Sequence, residues 1–310
     1  MITRAWITGA RGFIGRSLAR HLAAEGVEVA GVGHGHWPDA STAGVSHWVN
    51  TDIHAASLDL LQSRAGAPDA IYHLAGGWAV GPSFANPLED FERTVHTTAR
   101  LLEWVRCHAP ATPVVAVSSA AVYGAGHQGP IAETVPVTPY SPYGHHKAVM
   151  ESLFRSYGAN FGLCAAVVRV FSAYGEGLRK QLPWDLCGKL AAGGRELVLD
   201  GTGEERRDWI HVDDVVRTLT DAARLLPSAE CPVVNCGTGT SRTVDEFSRV
   251  LVEAWGGPCT VSFSGRVRPG DPQSLVADVS RMRQRGGVVP RPLAEGLASY
   301  VRWFRADTDR

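Results

Sequence analysis

Tyr143 and Lys147 stand four residues apart, a spacing that puts both on one face of a helix and the ammonium beside the phenol. A positive charge there favours the phenolate and pulls its pKa down from about 10 toward neutrality. Such a phenol can give and take a proton at an alcohol or a ketone. Far upstream, Thr8-Gly9-Ala10-Arg11-Gly12-Phe13-Ile14-Gly15 spaces three glycines as GxxGxxG. Glycines let the backbone turn sharply and approach a pyrophosphate, whose charge then meets the N-terminus of the next helix.

Chemistry of that kind needs a frame that brings distant segments together. Residues 3–8 form a short β-branched run, 13–25 carry helical periodicity, and 27–33 form a second strand. Residues 69–75, 113–119 and 163–171 are further apolar strands, with a helix over about 88–108 among them. Unbroken apolar strands alternating with helices predict an α/β fold, a doubly wound parallel sheet covered on both faces. The order changes near Gly175, with a helix over about 180–192, short strands at 197–200 and 233–236, and an amphipathic helix near 293–304. A smaller α+β substrate lobe is expected there. The dinucleotide-binding domain is expected over 1–175 with 208–240 returning to it, and the second lobe over 176–207 and 241–310.

The length of 310 residues fits one large α/β unit with an added lobe. With 20% charged residues and a net charge of −1, the chain has no field of one sign, which argues against nucleic acid and anionic membrane as partners. Its cysteines form no CxxC pair and several lie in apolar runs, so they read as buried thiols of a reducing compartment. The histidines never form HxxxH or HxxEH, and His34-Gly35-His36 reads as a glycine-rich loop, so no metal site is expected. No apolar run reaches spanning length and a strand begins by residue 3, so a cytoplasmic protein without a signal peptide is expected.

The glycine loop follows the first strand directly, the context that makes GxxGxxG a dinucleotide cradle. The choice between NAD and NADP turns on the end of the second strand, where NAD sites place an acid for the ribose hydroxyls. Gly33 holds that position and His34 follows, with no acid. Arg11, inside the loop, is placed to reach a 2′-phosphate, so the reading leans to NADP and leaves NAD open. Asp52 and Ile53, after a third strand, suit the adenine ring, the carboxylate accepting from its amino group and the isoleucine packing on it.

With these pieces in order, the chain resembles the extended short-chain dehydrogenase/reductase family, of NAD-dependent epimerase/dehydratase type, close to UDP-galactose 4-epimerases and nucleotide-sugar 4-ketoreductases. The similarity covers nearly the whole length. It rests on the glycine loop, His73-Leu74-Ala75-Gly76, Ser118-Ser119-Ala120-Ala121-Val122-Tyr123-Gly124, Tyr143xxxLys147 and Arg169-Val170-Phe171-Ser172-Ala173-Tyr174-Gly175. In the second half it continues through Arg207-Asp208-Trp209-Ile210-His211-Val212-Asp213-Asp214, Asn235-Cys236-Gly237-Thr238-Gly239 and Arg268-Pro269-Gly270-Asp271. The resemblance implies a Rossmann fold that holds the dinucleotide through Gly9, Arg11, Gly12, Phe13, Ile14, Gly15, His34, Asp52, Ile53, Leu74, Ala75 and Gly76. It assigns Ser119 to the sugar oxygen, Tyr143 to the acid/base role, and Lys147 to the nicotinamide ribose and to tuning the tyrosine. Arg207 and Arg268 resemble a diphosphate clamp, Asp271 a ribose acceptor, and Gln181, Leu182 and Ser172 further contacts of a nucleotide-diphosphate sugar. Asp208 reads as a structural partner. Helices near 88–108 and 143–158 resemble those of a homodimer interface.

Departures from the pattern narrow the chemistry. Dehydratases of the family carry an Asp-Glu pair after the catalytic Ser or Thr, and the decarboxylases a glutamate. Here Ala120 and Ala121 supply no carboxylate. Trp78 stands in place of a lysine, His96 and Ser172 in place of asparagines, and Asp200 in place of an aromatic. The implied reaction is hydride transfer between nicotinamide and C4 of a nucleotide-linked sugar. The missing acid at Gly33 puts a 4-keto-6-deoxy sugar nucleotide reductase first, with a UDP-hexose 4-epimerase as the alternative. A non-catalytic dinucleotide sensor is the remote third reading, since such proteins lack the tyrosine or the lysine.

Overall fold

The computed structural model describes residues 1–77, 79–225, 227–267, 271–284 and 286–308. The strands of its main sheet are β1 (Arg4–Thr8), β2 (Glu28–Gly33), β3 (His47–Asn50), β4 (Ala70–His73), β5 (Val114–Ser119), β6 (Ala165–Val170) and β7 (Val233–Cys236). They lie in the order β7-β6-β5-β4-β1-β2-β3, and every pairing from β6 across to β3 is parallel. Strand order reverses on either side of β1, so the crevice between the ends of β1 and β4 is the switch point at which such sheets bind ligands.

Burial follows from the sequence. Strands β4 and β6 are buried at every position, as a sheet covered on both faces requires. Alternate residues point to opposite faces. Trp6, Ile71, Val114, Ala116, Ala165 and Val167 join one core cluster with Leu58 and Leu61 of α2 (Ala55–Ala65), Leu101 and Trp104 of α3 (Thr97–His108), and Met150 and Phe154 of α4 (Pro142–Phe161). Trp6 meets Trp104 with ring centroids 5.2 Å apart. Leu18 and Leu22 of α1 (Phe13–Ala24) are fully buried beside β1 and β2.

The chain divides into two compact units, the first made of 1–124, 136–170 and 216–234, the second of 125–135, 171–215 and 235–310. Residues 125–135, 171–175, 208–215 and 235–240, expected in the first domain, fall in the second unit. That unit is α+β. It holds a four-stranded sheet ordered 242–243, 206–207, 274–277 and 130–131, and the helices α5 (Gln181–Ala191), α7 (Val244–Trp255) and α8 (Leu293–Thr308). The helix α6 (Val212–Leu225) runs from its segment into the first unit. Thr243 and Glu246 close a capping box on α7. Phe247 of that helix stacks on Trp209 at 3.9 Å.

Several segments differ from the sequence expectation. The helix expected over 88–108 is interrupted by a π-helical turn at Glu92–His96, an irregularity common at functional sites. Helices α2, α6 and α7 had no counterpart in the sequence reading. Among the described residues, no helix is long and apolar enough to cross a membrane.

Candidate active site

The glycine turn is shaped by close approach. Gly9 has φ +72 and donates its N–H to Val32 O at 2.8 Å. A Cβ on Gly9 would stand 2.9 Å from the Ala75 nitrogen, and one on Gly15 would overlap the Gly9 carbonyl oxygen. Leu74 and Ala75 are tied to Thr8 by hydrogen bonds of 3.1 and 3.2 Å, so Leu74, Ala75 and Gly76 border the turn at the switch point. Gly12 is the N-cap of α1, with no capping side chain and no acid in the first turn where Phe13 and Ile14 lie. Its first amides are therefore suited to an anion. This cradle, which side chains would fill, fits a dinucleotide pyrophosphate.

The residues expected at the adenosine end make contacts of their own beyond the ends of β2 and β3. Asp52 pairs with His34 at 2.8 Å, both exposed. Ile53 is only 3% exposed and belongs to the core cluster. The Arg11 guanidinium lies against Gly35, where any Cβ would overlap Nη1. Gly35 in turn donates to Asn50 Oδ1 at 2.8 Å and accepts from Trp48 Nε1 at 3.3 Å.

Ser119, Tyr143 and Lys147 come together in the first unit. Ser119 ends β5 and caps the 3₁₀ turn Ala120–Tyr123, accepting from the Ala121 N–H at 3.2 Å. Helix α4 starts at the Ser141 cap, with Pro142 in its first turn, a favoured position for proline. Gly144 lets that helix approach the turn, since a Cβ there would stand 2.6 Å from Ala121 O. The Tyr143 phenol hydrogen-bonds the Ser119 hydroxyl. Lys147 is 3% exposed, donates from Nζ to Val117 O at 3.0 Å, and lies 5.9 Å from the Tyr143 ring centroid.

The electrostatics correct one expectation. Tyr143 is held above its ordinary pKa, because burial of the phenol outweighs the Ser119 hydrogen bond and the Asp90 carboxylate acts in the same direction as burial. The Lys147 ammonium donates to the Val117 carbonyl and keeps its charge beside the ring. Burial pushes its own pKa down to about 8, with Asp90 and Glu151 opposing. His73 spans Thr8 Oγ1 at 2.8 Å and Thr98 Oγ1 at 2.9 Å. Burial, reinforced by the Lys147 charge, lowers its pKa to about 3, so it is neutral.

Supporting groups lie one layer out. Glu151, one turn after Lys147, accepts from Ser118 Oγ at 2.6 Å and from Arg169 Nε and Nη2 at 2.9 and 2.7 Å, all buried. Asp90 and His146 meet at 2.6 Å. Sequence reasoning did not single out either pair as a unit. The only signal was the placement of Glu151 and His146 on the helix that carries Tyr143 and Lys147.

In the second unit, Gln181, Leu182, Arg207 and Asp271 line one cavity of about 530 Å³, together with Asp200 and Arg266. Arg207 donates to Pro272 O at 2.8 Å and stands 3.6 Å from Asp271. Gln181 has φ +65, a strained conformation for a non-glycine residue of the kind that clusters at functional sites. Ser172 is in the short strand paired with Trp209 and is not part of the lining. Arg268 and Trp78 lie outside the described residues. Asp208 accepts from the Thr238, Gly239 and Ala277 amides, and burial raises its pKa, so it ties loops together.

Known proteins share this architecture. A model of the NAD dependent epimerase/dehydratase family matches residues 5–237. The chain is 31% identical to a UDP-glucose 4-epimerase of Azospirillum brasilense, over 98% of this chain and 92% of that one. It is 30% identical to a dTDP-glucose 4,6-dehydratase of Streptomyces griseus, over 98% and 94%. Among solved structures it is similar to MoeE5 in complex with UDP-glucuronic acid and NAD, with a TM-score of 0.87 and 30% identity over 98% of this chain and 99% of that one. Fold, motif order and full-length similarity agree, and the chain belongs to the NAD dependent epimerase/dehydratase family.

Proposed function

We propose that this protein is an NAD-dependent 4-epimerase of a UDP-hexose. The observation that carries the reading is the meeting of the Ser119 hydroxyl, the Tyr143 phenol and the Lys147 ammonium in the unit that holds the glycine cradle. A nicotinamide dinucleotide held by that cradle would accept hydride from the sugar and return it. Tyr143 acts as the phenolate, favoured by the neighbouring Lys147 ammonium: it takes the proton of the sugar 4-hydroxyl as hydride leaves C4 and gives it back on the return, while Ser119 holds that oxygen. Lys147, with its pKa near 8, orients the ribose and shares the proton balance of the phenol. Arg207 binds the diphosphate, remote binding energy that positions the sugar. Ala120 and Ala121, buried and apolar, offer no carboxylate for abstraction at C5.

The similarity to a UDP-glucose 4-epimerase reverses the order expected from sequence, where the 4-ketoreductase stood first. The reductase with NADP remains the second reading, favoured by Gly33 in place of an acid and by the Arg11 guanidinium against Gly35. Purified protein should interconvert UDP-glucose and UDP-galactose with no net change in reduced dinucleotide. Stoichiometric consumption of NADPH with a 4-keto-6-deoxy sugar nucleotide, and no interconversion, would establish the reductase instead. Tyr143→Phe should lose about 10²–10⁴-fold in turnover while retaining dinucleotide, and wild-type turnover would remove Tyr143 from the mechanism. Exposed Phe84, Leu88, Phe91 and Val149 support a homodimer through the helices at 80–91 and α4.

A further inference from the structure

Next to the reacting groups lies an acid–base pair that the mechanism above does not use. His146 Nδ1 and Asp90 Oδ2 are 2.6 Å apart, with side chains 16% and 7% exposed, too enclosed for an incidental surface pair. Asp90 sits in the short helix Pro87–Phe91, and His146 is the residue before Lys147 on α4. Phe91 covers the imidazole edge-on at 5.5 Å. The Asp90 carboxylate presses on Gly77, where any Cβ would overlap Oδ1. Gly77 donates its N–H to Thr94 Oγ1 at 2.7 Å, and a Cβ on Gly76 would stand 3.2 Å from Lys147 Nζ. The Gly76-Gly77 turn is thus held between an ammonium and a carboxylate.

We propose that Asp90 and His146 form a charge-positioning pair for the reacting centre, in which the imidazole holds the Asp90 carboxylate against the Gly76-Gly77 turn, at the point from which its charge acts on Lys147 and Tyr143. Both residues are positioning residues, since neither is placed to touch substrate. The proposal rests on the reading of Tyr143 and Lys147 as the reacting groups only for its catalytic meaning; the electrostatic claim stands alone. The Asp90 charge raises the pKa of Lys147 against the effect of burial and raises that of Tyr143 along with it. Other ionisable groups around the pair are accounted for. Glu89 is paired with Arg93 at 2.5 Å, and the π-helical turn carries Glu92, Arg93 and His96. Helix α4 contributes Tyr143, His145, Lys147 and Glu151, and the helix Val80–Ala85 contributes none. Of these, Asp90 stands before Glu151 among the charges acting on Lys147.

The chain has only three lysines, Lys147, Lys180 and Lys189, so each can be titrated separately by NMR with carbon-13 at lysine Cε, without substrate. In Asp90→Asn the Lys147 midpoint should fall by about one unit from its value in the intact protein, with Lys180 and Lys189 unmoved. A Lys147 midpoint unchanged in folded Asp90→Asn overturns the proposal. Removing the imidazole in His146→Ala should lower the same midpoint, because the carboxylate is no longer held. His146→Asn, whose amide N–H replaces Nδ1–H, should restore it. Equal midpoints in His146→Ala and the intact protein would overturn the role of His146, whether or not Asp90→Asn folds. Loss of epimerase activity in Tyr143→Phe has no bearing on these midpoints, so failure of the functional reading and failure of the pair are told apart.

Discussion

Replacing Glu151 by Gln should destabilise the protein by about 3–5 kcal/mol, the cost of leaving one member of a buried ion pair uncompensated. The magnitude follows from what the carboxylate does. It accepts three hydrogen bonds of 2.6, 2.9 and 2.7 Å, from Ser118 and twice from Arg169, with Glu151 fully buried and Arg169 3% exposed. Solvent therefore cannot screen the guanidinium once its counter-charge is gone. A glutamine keeps one acceptor oxygen, and its NH₂ must face one of the two donors. Against a total stability of about 5–15 kcal/mol, the loss is a large fraction. Urea unfolding followed by tryptophan fluorescence gives the difference. The double variant Glu151→Leu/Arg169→Met removes both buried charges; the Ser118 hydroxyl loses its acceptor and the Tyr123 hydroxyl its guanidinium, at about 1–3 kcal/mol together. It should be more stable than Glu151→Gln. A glutamine variant within about 1 kcal/mol of the intact protein, or a double variant less stable than either single change, would refute the reasoning.

Other outcomes follow from the same geometry. His73 has its pKa near 3 in the folded protein against 6.5 as the ordinary value, so the unfolded chain takes up the proton first. Stability should be complete above that upper value and fall by about 1.4 kcal/mol per unit as pH drops toward the lower one. Urea midpoints between pH 7.5 and 5 measure this, and His73→Asn should lose that part of the dependence. Gly15→Ala drives a methyl into the Gly9 carbonyl oxygen and should abolish dinucleotide binding in calorimetry, even where circular dichroism shows a folded protein. Arg207→Lys cannot keep the contact with Pro272 O while remaining beside Asp271. KM for the nucleotide sugar should rise about tenfold, with a smaller change in kcat.

The sheet was legible because most of its strands are largely apolar runs with polar residues mainly at their ends, a pattern that needs no tertiary information. Helix α2 was not, for two physical reasons. Its apolar positions make only a weak stripe, and its cap is His54, whose ring accepts the Ser57 N–H at 3.1 Å while Ser57 Oγ accepts the His54 N–H. A search for Ser, Thr, Asp or Asn at a helix start passes over an imidazole doing that work. The Tyr143–Lys147 spacing pointed to two groups that the structure places side by side, but it carried no information on burial, which raises the phenol. Spacing places an ammonium near a ring, yet it does not report how deeply the two groups are buried or which backbone carbonyl the ammonium bonds. Partners distant in sequence, such as Asp90 and His146, were invisible for the same reason. Four residues read from the second half line one cavity because they lie at the ends of short elements whose order was legible even where their edges were not.

Each unit is assembled from three separated stretches, and the backbone crosses from one to the other at residues 124–125, 135–136, 170–171, 215–216 and 234–235. No single peptide-bond scission releases either unit intact. A truncation that removes the whole of either unit takes strands or helices of the other with it. The lineage of such a chain can vary its cavity by point changes and loop insertions, but not by trading one half for another through simple fusion. Ribosomal synthesis imposes a matching delay: Val233–Cys236, the edge of the main sheet, emerges after most of the second unit's first two stretches, so early autonomous folding of the amino-terminal portion leaves that edge unfilled.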